Sequence, residues 1–451
     1  MKQPPSHPSR LADARATMQL AWPIMVTQLA QIGSAFVDST MAGHYSAVDL
    51  AAISVGGSIW VALMVTLLGL TLAINPLVAH RVGAKEHHAI PGIVQQGLWQ
   101  GLAFAVAGMV LAWLIAPFFS LSGLDAEGAD KATRFLRAVV WGLPALAFHR
   151  VLAGYSASLN CTRPMMFIAL FGLALNVPVN WVLIYGKFGF PELGGVGCGY
   201  ATAFCMWVSA VLLAAWVRWA PIYRETQPLG HWQAPQTALQ KQLFRLGLPI
   251  GMLFLVEVSA FSLVALLIAR LGNTQVAAHQ IALNFTGIVF MIPSALGHAL
   301  TVRVGHALGA GNPQQARLIG TTGIVMGLVY AVFSALLIGL GREGITALYT
   351  SDEAVRSLAM QLLFYAAIFQ LGDATQTIMA GILRGYKITK WPMLVYICAF
   401  WLLGIPLGYA LAFGYGQDAS GFWQALVLAL ALAAGLLYGL FVRESHRLLR
   451  A

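Results

Sequence analysis

LPIGMLFLVEVSAFSLVALLIA, residues 248–269, carries one charged side chain, Glu257, in an otherwise apolar run long enough to cross a bilayer. Two other stretches have the same construction. LAWPIMVTQLAQIGSAFVD, residues 20–38, ends on Asp38, and LLFYAAIFQLGDATQTIMAGIL, residues 362–383, holds Asp373 near its middle. An ionised acid at bilayer depth costs at least ~2.5–3.5 kcal/mol on insertion scales. Three such acids persist only if a bound cation, a transferable proton or a cationic ligand offsets that cost. The pattern points to transport.

The rest of the chain fits a membrane reading. Of 451 residues, 59% are hydrophobic and only 9% charged, against about 25% charged in a soluble domain. Twelve apolar runs of spanning length lie near residues 17–42, 52–79, 91–118, 134–158, 165–186, 194–217, 243–269, 276–301, 316–340, 357–383, 391–413 and 419–442. The opening residues, MKQPPSHPSRLADARA, are polar, with no short apolar segment and cleavage site before the first run, so no cleaved signal peptide is expected. The net charge of +10 is spread singly between the runs and does not form a nucleic-acid-binding face. With the N-terminus inside, 18 of the 26 Lys and Arg fall on the cytoplasmic side, among them Arg384, Lys387 and Lys390 in one loop and Arg443, Arg447 and Arg450 in the tail. Asp125, Glu127, Asp130, Glu343, Asp352 and Glu353 fall on the other side. This is the positive-inside pattern for an even number of spans with both termini cytoplasmic. Cys161, Cys198, Cys205 and Cys398 lie in or beside spans without CxxC spacing and read as small buried residues rather than a disulfide or metal framework.

The halves are copies. A shift of 226 residues places Leu20 on Leu246, Pro23 on Pro249, Ala51-Ala52 on Ala277-Ala278, His80 on His306 and Gly83-Ala84 on Gly309-Ala310. With slightly larger shifts Ala153-Gly154 meets Ala380-Gly381, and Pro164-Met165 meets Pro392-Met393. Six spans per copy is an even number, so the repeat is parallel, about an axis along the membrane normal, with a central cleft between the copies. The fold class is an all-α integral membrane protein of twelve transmembrane helices in two six-helix bundles. The polar, proline-bearing stretch from Arg218 to Gln242 links an N-lobe, 1–228, to a C-lobe, 229–451. The acids break the symmetry: under the 226-residue shift Asp38 meets Val264 and Glu257 meets Gln31.

Gln28, Gln31 and Asp38 share one face of the first span, where Pro23 and Gly33 favour bending. Asn176 and Asn180 are four apart on the fifth span, with Pro178 between them, and can offer amide oxygens to a cation or hydrogen-bond Asp38. The alternative for such amides is inter-helix glue. Gln370, Asp373 and Thr377 form a stripe on the tenth span, and Gln280 and Asn284 another on the eighth. Glu257 and Asp373 facing one cavity would repel, so one takes a proton or both share a monovalent cation. Arg150 is the one basic residue expected within a span, and it cannot neutralise three acids. His149 and His298 read as hydrogen-bonded core histidines, with proton relay as the alternative. GAGNPQQAR at 309–317 superficially suggests a phosphate loop, but it follows a membrane helix and lacks the GK[ST] ending. It reads as a turn matching GAKEHHA at 83–89, and no ATP-binding domain is expected.

NVPVNWVLIYGKFGFPELGGVGCGYATA (176–203), LAWPIMVTQLAQIGSAFVDSTMAGHYS (20–46), VAAHQIALNF (276–285) and RVGHALGAGNPQQAR (303–317) together resemble the multidrug and toxic compound extrusion (MATE) transporters, in their NorM-like bacterial branch. The resemblance covers nearly all twelve spans. It implies two six-helix bundles around a cleft and exchange of cationic amphiphilic drugs or dyes for Na⁺ or H⁺ in the bacterial inner membrane. No further cofactor and no nucleic-acid partner are implied, and a monomer would contain the whole cleft. It also implies that Asp38, Asn176 and Asn180 form an N-lobe cation site, with Thr202 as a further candidate ligand, and that Glu257 and Asp373 couple a cation in the C-lobe. Some members carry an acid where Asn180 stands. Two rival readings are a lipid-linked precursor flippase of the same superfamily and an intramembrane aspartyl protease. The acidic interior argues against the first. The missing YD and GxGD pairing argues against the second.

Overall fold

In the computed structural model, which describes residues 9–121, 125–230 and 232–450, the described residues hold twelve helices of spanning length and hydropathy. They are α1 (Arg10–Tyr45), α2 (Ala47–Gly83), α3 (His87–Ser120), α4 (Ala126–Ser158), α5 (Arg163–Tyr185), α6 (Val196–Trp219), α7 (Thr237–Ala269), α8 (Asn273–Gly309), α9 (Pro313–Tyr349), α10 (Glu353–Gly385), α11 (Lys390–Gly414) and α12 (Asp418–Arg450). Each coincides with one of the apolar runs to within two residues or extends beyond it, because amphipathic and polar turns continue past the hydrocarbon-length core. The first eight residues of the polar N-terminal stretch lie outside the described residues.

Local chemistry sets the helix ends. Asp125 starts α4 by accepting from Gly128 N at 2.9 Å, and Asp352 starts α10 by accepting from Ala354 N at 2.9 Å. GAGNPQQAR is a helix–turn–helix junction: Gly311 adopts φ +69°, Asn312 Oδ1 accepts from Gln315 N at 2.9 Å, and Pro313 opens α9. The helix α11 departs from regular geometry. Its segments Ile397–Gly404 and Ala410–Gly414 are π-helical around Pro406, a widening that tends to occur where function needs an irregular wall.

The chain forms two compact units, one of Val26–Gly251 and one of Met1–Met25 with Met252–Ala451. The switch points fall inside α1 and α7 rather than in the linker at 228–229. The 226-residue repeat shift carries the first switch point onto the second, so each repeat's opening helix starts in one unit and ends in the other. Specific contacts hold each start. Arg303 reaches Asp13 Oδ1 at 2.7 Å, Asp13 O at 2.6 Å and Thr17 Oγ1 at 2.6 Å, with Asp13 only 2% exposed. In the other unit Gln240 Nε2 donates to Gln96 Oε1 at 2.9 Å, and the Gly69 and Gly251 backbones approach too closely for any Cβ on Gly69.

The linker is pinned by side chains that bond its backbone. Gln95 Nε2 donates to Pro228 O at 2.8 Å, Gln96 Nε2 to Ala234 O at 2.9 Å and Trp99 Nε1 to Gln233 O at 3.1 Å. Tyr223 is fully buried there and donates to Ser156 Oγ at 3.0 Å, and burial pushes its phenol above the usual tyrosine range. In the same unit Asp49, fully buried, accepts from Lys131 Nζ at 2.8 Å and Gly195 N at 2.7 Å, joining α2, α4 and the loop before α6.

In the second unit α8 and α10 meet through small residues, as membrane helices do where no hydrophobic force separates protein from lipid. A Cβ on Gly381 would strike the Gly297 carbonyl, and Thr301 Oγ1 bridges Gly297 O at 2.9 Å and Gly381 O at 2.7 Å. Three outcomes are expected in a thermal-unfolding assay of detergent-solubilised protein. Gly381→Val should cost ~1–3 kcal/mol by overpacking, while Gly439→Ala, with nothing within 4 Å of the added carbon, should leave the transition unchanged. Arg303→Ala should cost about 3–5 kcal/mol because Asp13 is left buried without its partner.

Candidate functional site

Asp38 lies on α1 well inside the first unit, where every direct side-chain partner is uncharged. Asn180 Nδ2 donates to Oδ1 at 2.6 Å and Asn176 Nδ2 to the same oxygen at 3.1 Å, while Thr202 Oγ1 donates to Oδ2 at 2.7 Å. No Lys, Arg or His pairs with Asp38 among the described residues. Pro178 sits within α5 between the two asparagines, whose four-residue spacing stacks both amides on one face. Asn180 Nδ2 also donates to Asn176 Oδ1 at 3.1 Å, and Asn180 Oδ1, buried, has no hydrogen-bond partner among the described residues. Buried acceptors are nearly always satisfied, so an orphan beside a carboxylate marks room for a donor or a cation. The four residues are brought together as the sequence suggests, and Thr202 is a direct partner.

Gln31, two turns earlier on the same face of α1, bonds Arg150 rather than Asp38. Its Oε1 accepts from Arg150 Nη2 at 2.9 Å, which gives that arginine a neutral partner, and His149 beside it is buried. Pro23 lies within α1, two residues before the switch between units.

In the second unit Glu257, His298, Thr377, Arg384 and Tyr396 line one cavity, with Phe254 and Phe290 among its apolar walls. Glu257 has no hydrogen bond or ion pair among the described residues. Asp373, 4% exposed, accepts from Gln376 Nε2 at 3.3 Å and lies within electrostatic reach of Glu257. Tyr396 lines the cavity beside Thr377 and lies within electrostatic range of both acids and Arg384. Gln370 is fully buried with neither amide atom partnered among the described residues, and Gln376 Oε1 is likewise unpartnered there. On α8, Gln280 and Asn284 are exposed and bond each other, Nε2 to Oδ1, at 3.0 Å. Trp401 Nε1 donates to Val256 O at 3.2 Å, tying irregular α11 to the turn of α7 that carries Glu257.

Three expectations are corrected. Arg384 is not in a loop with Lys387 and Lys390: it belongs to α10, is 8% exposed, and faces the cavity of Glu257. Arg150 is therefore not the one base within a span. The apolar run stops being continuous at Arg384, and for that reason the residue reads as a boundary in sequence, although the helix continues past it. Cys398 is exposed on α11 rather than buried, while Cys198 and Cys205 are buried. Cys198 Sγ donates to Asp38 O at 3.5 Å. Tyr396 and Gln376 carry no distinctive signal in one sequence. Both are uncharged and stand in apolar runs, and only the fold shows what they touch.

Twelve spanning helices with lone acids in polar nests define a polytopic membrane protein of the transporter class. The family description MatE matches residues 23–182 and again 249–410, once in each repeat. The probable multidrug resistance protein NorM of Chromobacterium violaceum is 41% identical over 442 residues, covering 97% of this chain and 95% of that protein. The multidrug resistance protein PmpM of Pseudomonas aeruginosa is 42% identical over 444 residues, covering 97% and 93%. The crystal structure of the eukaryotic MATE transporter AtDTX14 superposes with a TM-score of 0.87 at 21% identity, covering 97% of this chain and 98% of that one. The chain belongs to the MatE family, in its NorM-like branch.

A hydrogen bond to a charged group contributes about 1.5–3 kcal/mol. Thr202→Val should therefore weaken whatever response Asp38 makes to monovalent cations by roughly tenfold or more, without loss of membrane-inserted protein. The concentration dependence of cation-triggered transport in membrane vesicles measures this.

Proposed function

We propose that this chain is a multidrug efflux antiporter that carries amphiphilic organic cations out across the bacterial inner membrane in exchange for Na⁺ or H⁺. Both termini would face the cytoplasm. The observation that carries the reading is Asp38 held by two rotatable amides and a hydroxyl, with Asn180 Oδ1 left unsatisfied beside it.

The chemistry follows from those donors. A bare carboxylate is stabilised by N–H and O–H groups pointing at it. Turning the amides of Asn176 and Asn180 by half a turn presents their oxygens instead, and with Asp38 and Thr202 they make an all-oxygen set suited to a hard monovalent cation. A proton on Asp38 serves the same balance by making it a donor. In the second unit Glu257 and Asp373 supply negative charge beside an apolar, aromatic-walled cavity, a setting that also attracts an organic cation. Drug and coupling ion then compete for the same charges. An ion entering from outside displaces the drug outward, and the emptied carboxylates favour the next drug from inside. Competition at one site suffices for exchange; coupling between distant sites needs a linked conformational change. No nucleotide is needed, because the ion gradient does the work.

De-energised cells loaded with ethidium, with the pH gradient collapsed, give the test. A pulse of NaCl, but not KCl, should trigger efflux if Na⁺ is the coupling ion, and an imposed inward proton gradient should do so if H⁺ is. Asp38→Asn, Glu257→Gln and Asp373→Asn should each lower the rate by at least about tenfold, the scale of one lost charge interaction. Normal efflux in all three variants would contradict the proposal.

A further inference from the structure

Arg150 is a charged residue within a span that no acid balances. Its Nη2 donates to Gln31 Oε1 at 2.9 Å, no carboxylate pairs with it among the described residues, and its buried Nε has no hydrogen-bond partner among them. Asp38, two turns further along the same α1 face, is held by Asn176, Asn180 and Thr202 instead. A guanidinium stays charged at any working pH and costs at least ~2.5–3.5 kcal/mol at bilayer depth. One neutral amide offsets little of that. The pair is also accessible: Gln31 is exposed and Arg150 only partly buried. Polar groups uncovered at that depth face a bundle interior or a water-filled space rather than lipid. The repeat points the same way. The 226-residue shift sets Leu253, Phe254 and Glu257 on Thr27, Gln28 and Gln31, and the 227-residue shift that joins Ala153-Gly154 to Ala380-Gly381 sets Thr377 on Arg150. Leu253, Phe254, Glu257 and Thr377 all line the cavity of the second unit. In the first unit the matching positions hold a hydroxyl, two amides and a guanidinium, with no acid.

We propose that Arg150, backed by Gln31, is a carboxylate-binding site of the first unit, and that it separates a carboxylate-bearing cargo from the same molecule as its ester. This rests on the proposed export function for the presence of a cargo, while the role of the arginine is tested separately. The planar guanidinium offers parallel N–H donors at the spacing of two carboxylate oxygens. An arriving carboxylate takes the place of Gln31 Oε1, and the released amide turns its NH₂ group towards the same anion. An ester brings no charge to the guanidinium and gains nothing from it. A purely structural arginine, pinning α4 to α1, would affect both molecules alike.

The test is fluorescence-polarisation binding of tetramethylrhodamine, which carries a free carboxylate, and of its methyl ester, on the purified full chain in lipid nanodiscs at fixed pH and ionic strength. Arg150→Gln should weaken binding of the free acid about tenfold, the scale of one hydrogen-bonded charge interaction, and bind the ester no more weakly than the parent does. Acetate should compete with the free acid on the parent. Gln31→Glu, which sets a fixed carboxylate against the arginine, should exclude the free acid to the same degree while strengthening the link between α1 and α4. Free acid bound equally by the parent and Arg150→Gln overturns the inference. So do both dyes weakened by the same factor, and a parent that binds only the ester. If Arg150→Gln does not fold, Gln31→Glu decides the matter by the same comparison of dyes. A parent that binds neither dye refutes the export reading instead.

Discussion

A charge in a bilayer has no water to solvate it, and the internal design of this protein follows from that penalty. Each buried charge in the spans has its own remedy. Asp38 is surrounded by neutral donors, Arg150 leans on the Gln31 amide, and Asp13 and Arg303 pair outright. Glu257, Asp373 and Arg384 share one neighbourhood without a salt bridge among them. The remedies differ in reversibility. An ion pair between fixed residues is closed to outside ligands, whereas a carboxylate held by rotatable amides remains available to one. On the proposed function, the sites that bind cargo are those whose compensation is partial, and Asn180 Oδ1, unpartnered among the described residues, stands beside one of them.

The duplication supplies two scaffolds and then uses them differently. The repeat shift that sets Glu257 on Gln31 also sets Thr377 on Arg150, within one residue. In one unit the pair is Gln31 and Arg150, bonded at 2.9 Å, with the charge on α4. In the other it is Glu257 and Thr377, lining one cavity, with the charge on α7. Equivalent positions thus carry opposite polarity. Duplication preserves backbone geometry because helix packing depends on small residues such as Gly297 and Gly381.

Much of this was legible in one sequence. Twelve spans follow from length and hydropathy alone, and the lone acids are visible because nothing else in their runs is charged. Spacing brings Asn176 and Asn180 onto one face, and the resemblance pairs them with Asp38. Other features depend on distant packing. Arg384 reads as a loop residue because hydropathy ends there, and only the continued helix turns it inward. The exchange of helix starts between units is silent in sequence, since residues 10–25 look the same whichever unit they join; Arg303, nearly 300 positions away, settles it. Tyr396 and Gln376 are ordinary residues until α10 and α11 are set side by side.

The central claim is that drug and coupling ion occupy the same negative charges. Its most direct test is a competition titration of the purified chain in nanodiscs, with tetraphenylphosphonium binding followed as Na⁺ is raised at fixed ionic strength, and separately as pH is lowered. The account predicts an apparent Kd that climbs in proportion to one of the two ions until that ion displaces the drug. A Kd unmoved by both would contradict it.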